Sequence, residues 1–264
     1  MRFERITLDG EGAHIDAYIA DPIKNFTRKA LLVIPGGGYG CVCSDREGEP
    51  IAHAFIPYGY NAFVLNYYTG KEKTFPIQLI QATRAIKYIK DNADDLGIDP
   101  EELFVVGFSA GGHLAASTGA LWKLPEIYDA IDMPYGYNKP KGVMLIYPVI
   151  NDEKGTFKNL LATKEPSKEM IDRVSIDKYV DADSAPAFIM HTSNDEIVDV
   201  RNSLTLGMAY KAADLQFEMH IYPDGSHGLA LANMITSHGR PTRENAAIAE
   251  WVRMAAVWAD SLRS

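Results

Sequence analysis

Gly107-Phe108-Ser109-Ala110-Gly111 sets a serine between glycines, directly after the apolar run LFVVGF and directly before AGGHLAASTGAL. A serine on such a strand-to-helix turn projects its hydroxyl from the strand end. The flanking glycines let the two backbones approach closely, and Gly112 extends the opening. The first N–H groups of the helix can face a developing negative charge. This is the setting of an oxygen nucleophile that attacks a carbonyl carbon.

A second glycine cluster, Pro35-Gly36-Gly37-Gly38-Tyr39-Gly40, follows the apolar run ALLVI. Acyl transfer puts charge on the carbonyl oxygen, and fixed backbone N–H donors stabilise it; losing one such donor typically costs ~3 kcal/mol. A phosphate loop is the competing reading, but no Gly-Lys-Ser/Thr follows.

The base must come from seven histidines. His14 and His220 fall inside strands, His113 packs behind the serine turn, and His191 ends a strand ahead of an acidic loop. His227, in Asp224-Gly225-Ser226-His227-Gly228, follows the last strand, where the chain order Ser, Asp, His puts the base. His238 is the weaker candidate beyond it. The acid belongs after the strand PAFIMHT, in Ser193-Asn194-Asp195-Glu196-Ile197-Val198-Asp199. Asp195 leads Asp199, which suits a helix cap, and Glu196. Such an acid orients the imidazole and stabilises its cation.

The elements that must carry these residues read as alternating strands and helices. RFERITL and HIDAYIA alternate polar and apolar residues, as in a half-exposed opening hairpin. ALLVIP (30–35), NAFVLNY (61–67), LFVVGF (103–108), GVMLIYP (142–148) and PAFIMHT (186–192) are nearly continuous apolar runs, suited to parallel strands buried on both faces. QFEMHIY (216–222) adds another. Helical patterns fill 76–92, with Ile80, Ile86 and Ile89 on one face, and also 110–121, 199–213 and 243–262. The expected fold is one α/β domain over residues 1–264, a mostly parallel eight-stranded sheet with helices on both faces. Ligand sites of such sheets lie at the carboxyl ends of the strands. The polar stretch 151–185 interrupts the rhythm without a convincing strand and reads as a small cap insertion or a surface excursion.

The chain's 264 residues suffice for a sizeable core without disulfides or metals. A net charge of −9 argues against nucleic acid or an anionic membrane as partner. Cys41 and Cys43 are too few for a disulfide framework and lack the neighbours of a metal site, so they read as reduced thiols in a loop. The N-terminus has no signal-peptide pattern and no apolar run reaches the ~18 residues of a membrane span, so the expected location is cytoplasmic.

Together these stretches resemble the α/β-hydrolase superfamily, and within it the small bacterial esterase/lipase branch that includes acetyl-xylan esterases. PGGGYG, SDREGEP, GIDPEELFVVGFSAGGHLAA, HTSNDEIVDVRNSL and YPDGSHGL carry the resemblance from about residue 30 to 230. It implies a triad of Ser109, Asp195 and His227, with Gly37, Gly38 and Ala110 as backbone oxyanion donors. Two positions depart from the pattern: Pro35 stands where relatives often have His, and Tyr68 where they often have Arg.

The chemistry expected is hydrolysis of a small-molecule ester, with acetylated oligosaccharides among the candidates, through an acyl-enzyme and with no metal or organic cofactor. Tyr39, Tyr67 and Tyr68 stand near strand ends, where they would either face a sugar or pack into the core. A peptidase or arylformamidase would use the same parts, and an inactive binding module is the reading from another class. Self-association is compatible with all of these. Ser109 is expected to be the only serine labelled by a fluorophosphonate. Ser109→Ala should lower kcat by roughly 10⁴-fold or more, because triad members act as a unit. Peptide mapping of the labelled protein and steady-state kinetics on the variant check these, and labelling that persists in the variant would place the nucleophile elsewhere.

Overall fold

A computed structural model describes residues 1–151 and 155–262. Eight strands form one sheet in the order β1-β2-β4-β3-β5-β6-β7-β8. They are β1 (Arg2–Thr7), β2 (His14–Ile19), β3 (Arg28–Ile34), β4 (Tyr60–Asn66), β5 (Ile98–Phe108), β6 (Gly142–Ile146), β7 (Ala187–Thr192) and β8 (Phe217–Tyr222). The β1–β2 and β2–β4 pairs are antiparallel, and every later pair is parallel. This is the mostly parallel sheet that the apolar runs imply. The order reverses at β3, whose neighbours are β4 on one side and β5 on the other. The loops after β3 and β5 therefore part around a crevice at the strand ends, and both glycine clusters lie there.

Helices α1 (Ser44–Glu47) and α2 (Glu49–Phe55) follow β3, and α3 (Ile77–Asp91) and α4 (Ala93–Leu96) follow β4. Next come α5 (Ala110–Ala120), α6 (Pro125–Ala130), α7 (Thr156–Leu160), α8 (Lys168–Val174) and α9 (Arg201–Ala212), with α10 (Ala246–Ala249) and α11 (Trp251–Ser261) at the end. No described helix is long and apolar enough to cross a membrane.

The period of two along each strand divides the core. Ala30, Leu32 and Ile34 join Leu103 and Val105 under α3, α5 and α9, while Leu31 and Val33 join Phe104, Val106 and Phe108 under α2 and α11. Helix α5 is buried along its whole length, and its Ala, Gly and Ser residues leave it slim enough to lie against the sheet. Helix α11 is amphipathic, with Trp251, Val252, Ala255, Trp258 and Ala259 buried and Arg253, Val257 and Asp260 exposed.

Some sequence expectations shift. The opening hairpin is half-exposed only in β1. Strand β2 is buried along nearly its whole length, because it lies between β1 and β4 with core on both faces. Its Asp16 is met by Arg5 at 2.7 Å. On α3 the buried row is Leu79, Ala82, Ile86 and Ile89, and Ile80 is only partly covered. The expected helix 243–262 starts at Ala246, where the Asn245 side chain accepts hydrogen bonds from the N–H groups of Ala247 and Ile248. Within 151–185 the described residues form α7, α8 and a 3₁₀ turn at Ile176–Lys178. Residues 152–154 of that stretch lie outside the described residues.

Asn61 ties this framework together from inside. The side chain is 1% exposed; it donates to the Leu96 carbonyl at 2.7 Å and accepts from the Ala20 N–H at 3.0 Å. It thereby joins the end of β2 to α4 across β4. Asn61→Ala would strand two backbone groups, at a cost of about 2 kcal/mol or more. A fall in melting temperature of ~4–8 °C is expected for a domain of this size. Thermal denaturation measures it, and an unchanged melting temperature would show that water replaces both bonds.

Candidate active site

Ser109 has φ 54° and ψ −118°, a backbone conformation rare outside glycine. It is held there from several sides: its N–H donates to Ile146, and its carbonyl accepts from His113 and Val149. The neighbouring glycines are required by space. A Cβ on Gly107 would stand 2.2 Å from the Gly111 carbonyl oxygen, and one on Gly111 would stand 2.2 Å from that of Ile34. Strand β5, helix α5 and the end of β3 thus meet backbone to backbone, and the serine hydroxyl is the group left at the top.

His227 lies in the loop after β8, and its Nε2 is 2.9 Å from Ser109 Oγ. Its Nδ1 is 2.7 Å from Asp195 Oδ2, in the loop after β7. Because a carboxylate only accepts, Nδ1 carries the proton, and Nε2 is the acceptor for the serine hydroxyl. Asp195 Oδ1 accepts from the N–H groups of Ile197 and Val198, each at 2.9 Å. Burial disfavours the Asp195 charge, but hydrogen bonds from His191 and His227 and attraction to His227 outweigh it. The carboxyl is held well below the usual carboxylate range.

Sequence reasoning weighed His191 only as a base. It sits behind Asp195, fully buried, with Nε2 donating to the Val198 carbonyl at 2.9 Å and lying 3.5 Å from Asp195 Oδ2. Its Nδ1 accepts from the Ser203 hydroxyl at 2.7 Å. The i, i+4 spacing to the acid was the available signal. Asp199 does not join this group. It accepts from the Arg201 N–H at the start of α9 and pairs with the Arg201 guanidinium, the capping role its position suggested. Glu196 and His238 are also apart: Glu196 is exposed, and His238 lies 3.6 Å from Asp45.

The glycine loop after β3 lies beside the serine. Gly37, Gly38 and Tyr39 take φ values of 128°, 61° and 58° in succession. A Cβ on Gly37 would stand 2.2 Å from the Cys41 carbonyl oxygen, so glycine is needed there. Among the described residues, the N–H groups of Gly37, Gly38 and Ala110 donate no hydrogen bond. The Gly38 carbonyl accepts from Asn159 of α7 at 2.8 Å. Tyr39 and Tyr67 are buried and do not line the cleft: the Tyr39 hydroxyl meets His113 at 2.7 Å, and that of Tyr67 donates to the Pro35 carbonyl. Core packing, the other half of the sequence expectation for them, is what occurs. Tyr68 is partly exposed and pairs with Glu72.

Ser109 and His227 open into a cleft of about 910 Å³. Its wall is mixed, with Asn151, Asp177, Lys178 and Arg201 alongside Val149, Ile171, Ile197 and Val198.

The pattern of the BD-FAE family matches residues 15–210. Endo-1,4-beta-xylanase B of Butyrivibrio fibrisolvens is 36% identical over 217 residues, which are 78% of this chain and 33% of that protein. An acetylxylan esterase of Xylanibacter ruminicola is 28% identical over 225 residues, 81% of this chain and 44% of that protein. The chain thus spans less than half the length of either relative. The crystal structure of an acetyl ester-xyloside bifunctional hydrolase from Caldicellulosiruptor lactoaceticus superposes with a TM-score of 0.82 at 32% identity, covering 98% of this chain and 96% of that one.

The contrast between the two aspartates gives a direct test. Asp195→Asn should lower kcat by ~10³–10⁴-fold, because an amide can present the wrong group to Nδ1. Asp199→Asn should leave kcat within a few-fold. Steady-state kinetics on both folded variants decides, and the reverse ranking would mean that the acid is Asp199.

Proposed function

We propose that this chain, which belongs to the BD-FAE family, is a serine carboxylesterase for short-acyl esters, acetylated xylo-oligosaccharides among them. The observation that carries the reading is the unbroken run of hydrogen bonds from Asp195 through His227 to Ser109, beside backbone amides that meet no acceptor among the described residues.

In this reading His227 Nε2 takes the hydroxyl proton as Ser109 Oγ bonds to the ester carbon. The carbonyl electron pair moves onto oxygen, where the N–H groups of Gly37, Gly38 and Ala110 meet it. The tetrahedral intermediate collapses, the C–O bond to the alcohol breaks, and His227 returns the proton to the leaving oxygen. Water then repeats the sequence on the acyl-enzyme and releases the acid. Asp195 keeps the imidazole in the tautomer these transfers need.

The substrate class rests on the polar groups in the cleft wall and on the names of the acetylxylan esterase and the acetyl ester-xyloside hydrolase. A hydroxyl-rich alcohol finds hydrogen-bonding partners along that wall. We read 151–185 as a cap: Thr156, Ile171, Asp172, Ser175, Asp177 and Lys178 all reach the cleft from it. Most of these are polar. A long acyl chain gains ~0.8 kcal/mol for each methylene only where the methylene is buried, and of these cap residues only Ile171 is apolar.

Accordingly, kcat/KM across acetyl, butyryl, octanoyl and palmitoyl nitrophenyl esters should peak at acetyl or butyryl. Acetate should also be released from acetylated xylo-oligosaccharides. A maximum at octanoyl or beyond would refute the short-acyl site, and a short-acyl maximum without acetate release would remove the carbohydrate.

A further inference from the structure

Glu47 is a carboxylate 1% exposed at the end of α1, on the floor of the cleft. Its Oε2 accepts from the Gly36 N–H at 2.8 Å. Its Oε1 accepts from the Tyr147 hydroxyl at 3.0 Å and from Arg46 Nη2 at 3.2 Å. Three donors of different origin thus converge on one buried anion, and each belongs to a different part of the site. A charge removed from water in this way is retained only when it is fully hydrogen-bonded.

Gly36 immediately precedes Gly37 and Gly38, and a Cβ on it would stand 3.0 Å from Ser109 Cβ. The Gly36 carbonyl accepts from the Cys43 N–H, so both ends of this peptide segment are tied. Tyr147 follows β6 with φ 39°, and its ring meets that of His227 edge-on at 4.9 Å. The Tyr147 hydroxyl also accepts from the Ala230 N–H at 3.0 Å, in the loop that carries His227. Burial, and after it the Glu47 charge, push the Tyr147 hydroxyl well above its usual range, so it stays protonated and donates. Arg46 packs against the same loop: its guanidinium lies 3.2 Å from where a Cβ on Gly228 would stand.

We infer that Glu47 is a positioning residue for catalysis, which holds the glycine loop after β3 and the His227 loop in register with each other across Ser109. The inference rests on the reading of Ser109, His227 and the loop amides given above. Glu47 touches none of the reacting atoms; it acts through Gly36, Tyr147 and Arg46. Both of its oxygens must accept, which only a carboxylate can do. A glutamine at 47 can satisfy Gly36 through its oxygen, but its NH₂ then faces the Arg46 donor. The loops separate slightly, and misplacement by a fraction of an ångström is felt most when the carbonyl oxygen becomes an anion.

The test compares Glu47→Gln and Tyr147→Phe with the parent enzyme on nitrophenyl acetate and with an alkyl trifluoromethyl ketone. Ser109 adds to that ketone to form a tetrahedral adduct whose oxyanion needs the loop donors. Glu47→Gln is expected to lower kcat by ~10–100-fold with KM within ~3-fold, and to weaken ketone binding by the factor lost in kcat/KM. Tyr147→Phe should lose less, and the double variant should be no worse than Glu47→Gln, because the two act through one network. A Glu47→Gln protein that melts lower but keeps its kcat and ketone affinity overturns the proposal, as do losses that multiply in the double variant. Should Glu47→Gln fail to fold, Tyr147→Phe decides alone, and unchanged ketone affinity there overturns it. Ser109→Ala separates the premise: activity surviving in that variant ends the nucleophile assignment, whereas lost activity there with an unaltered Glu47→Gln ends only the positioning role.

Discussion

The approach of three backbones around Ser109 is the constraint from which the rest of the site follows. Strand β5 enters, α5 leaves, and the end of β3 passes so close that Gly111 has no room for a Cβ beside the Ile34 carbonyl. The serine therefore takes a left-handed φ, which costs energy and persists only because the surroundings over-determine it. Apolar packing supplies that determination. Phe108 is buried against Tyr147 and Trp251 on one face of the sheet, and α5 is sealed on the other. The crevice at the sheet's reversal then brings the glycine loop and the α5 N-terminus to one hydroxyl without any long-range motion.

Two buried carboxylates near the serine are well supplied with donors. Asp195 has two backbone N–H donors on one oxygen and His227 on the other, with His191 behind it. Glu47 has Gly36, Tyr147 and Arg46. Each buried carboxylate is thus hydrogen-bonded to donors that are themselves fixed, which turns a desolvation cost into geometric definition. His113 is a further buried link. Its Nε2 donates to the Val174 carbonyl at 2.7 Å and its Nδ1 accepts from Tyr39, so it links α5 to both the glycine loop and α8.

The elements were legible because their signals are local. Apolar runs long enough for strands, glycines around a serine, and a glycine-flanked histidine after the last strand are all contiguous in the chain. Errors fell where burial depends on neighbours far along the chain. The sequence of β2 alternates as a half-exposed strand does, yet the strand is covered on both faces, because only the sheet order reveals β4 and the helices beside it. Ile80 and Leu79 differ by one position on α3, and an apolar pattern alone does not say which of them meets the sheet.

The sequence by itself determined the fold class, the serine turn, and the expectation that Ser109, Asp195 and His227 stand together, with Asp195 ahead of Asp199. Tertiary structure alone decided what surrounds them. Glu47 reads as one acidic residue in a charged stretch, and Tyr147 as the tail of an apolar strand. They meet 100 positions apart only because the loops after β3 and β6 converge at the strand ends. Likewise Tyr39 and Tyr67 pass from cleft candidates to core only when His113 of α5 meets Tyr39, and Tyr39 in turn meets Tyr67. The physical reason is the same throughout. Backbone conformation and periodicity are set by adjacent residues, whereas burial and hydrogen-bond partnership are set by which segments the sheet brings side by side.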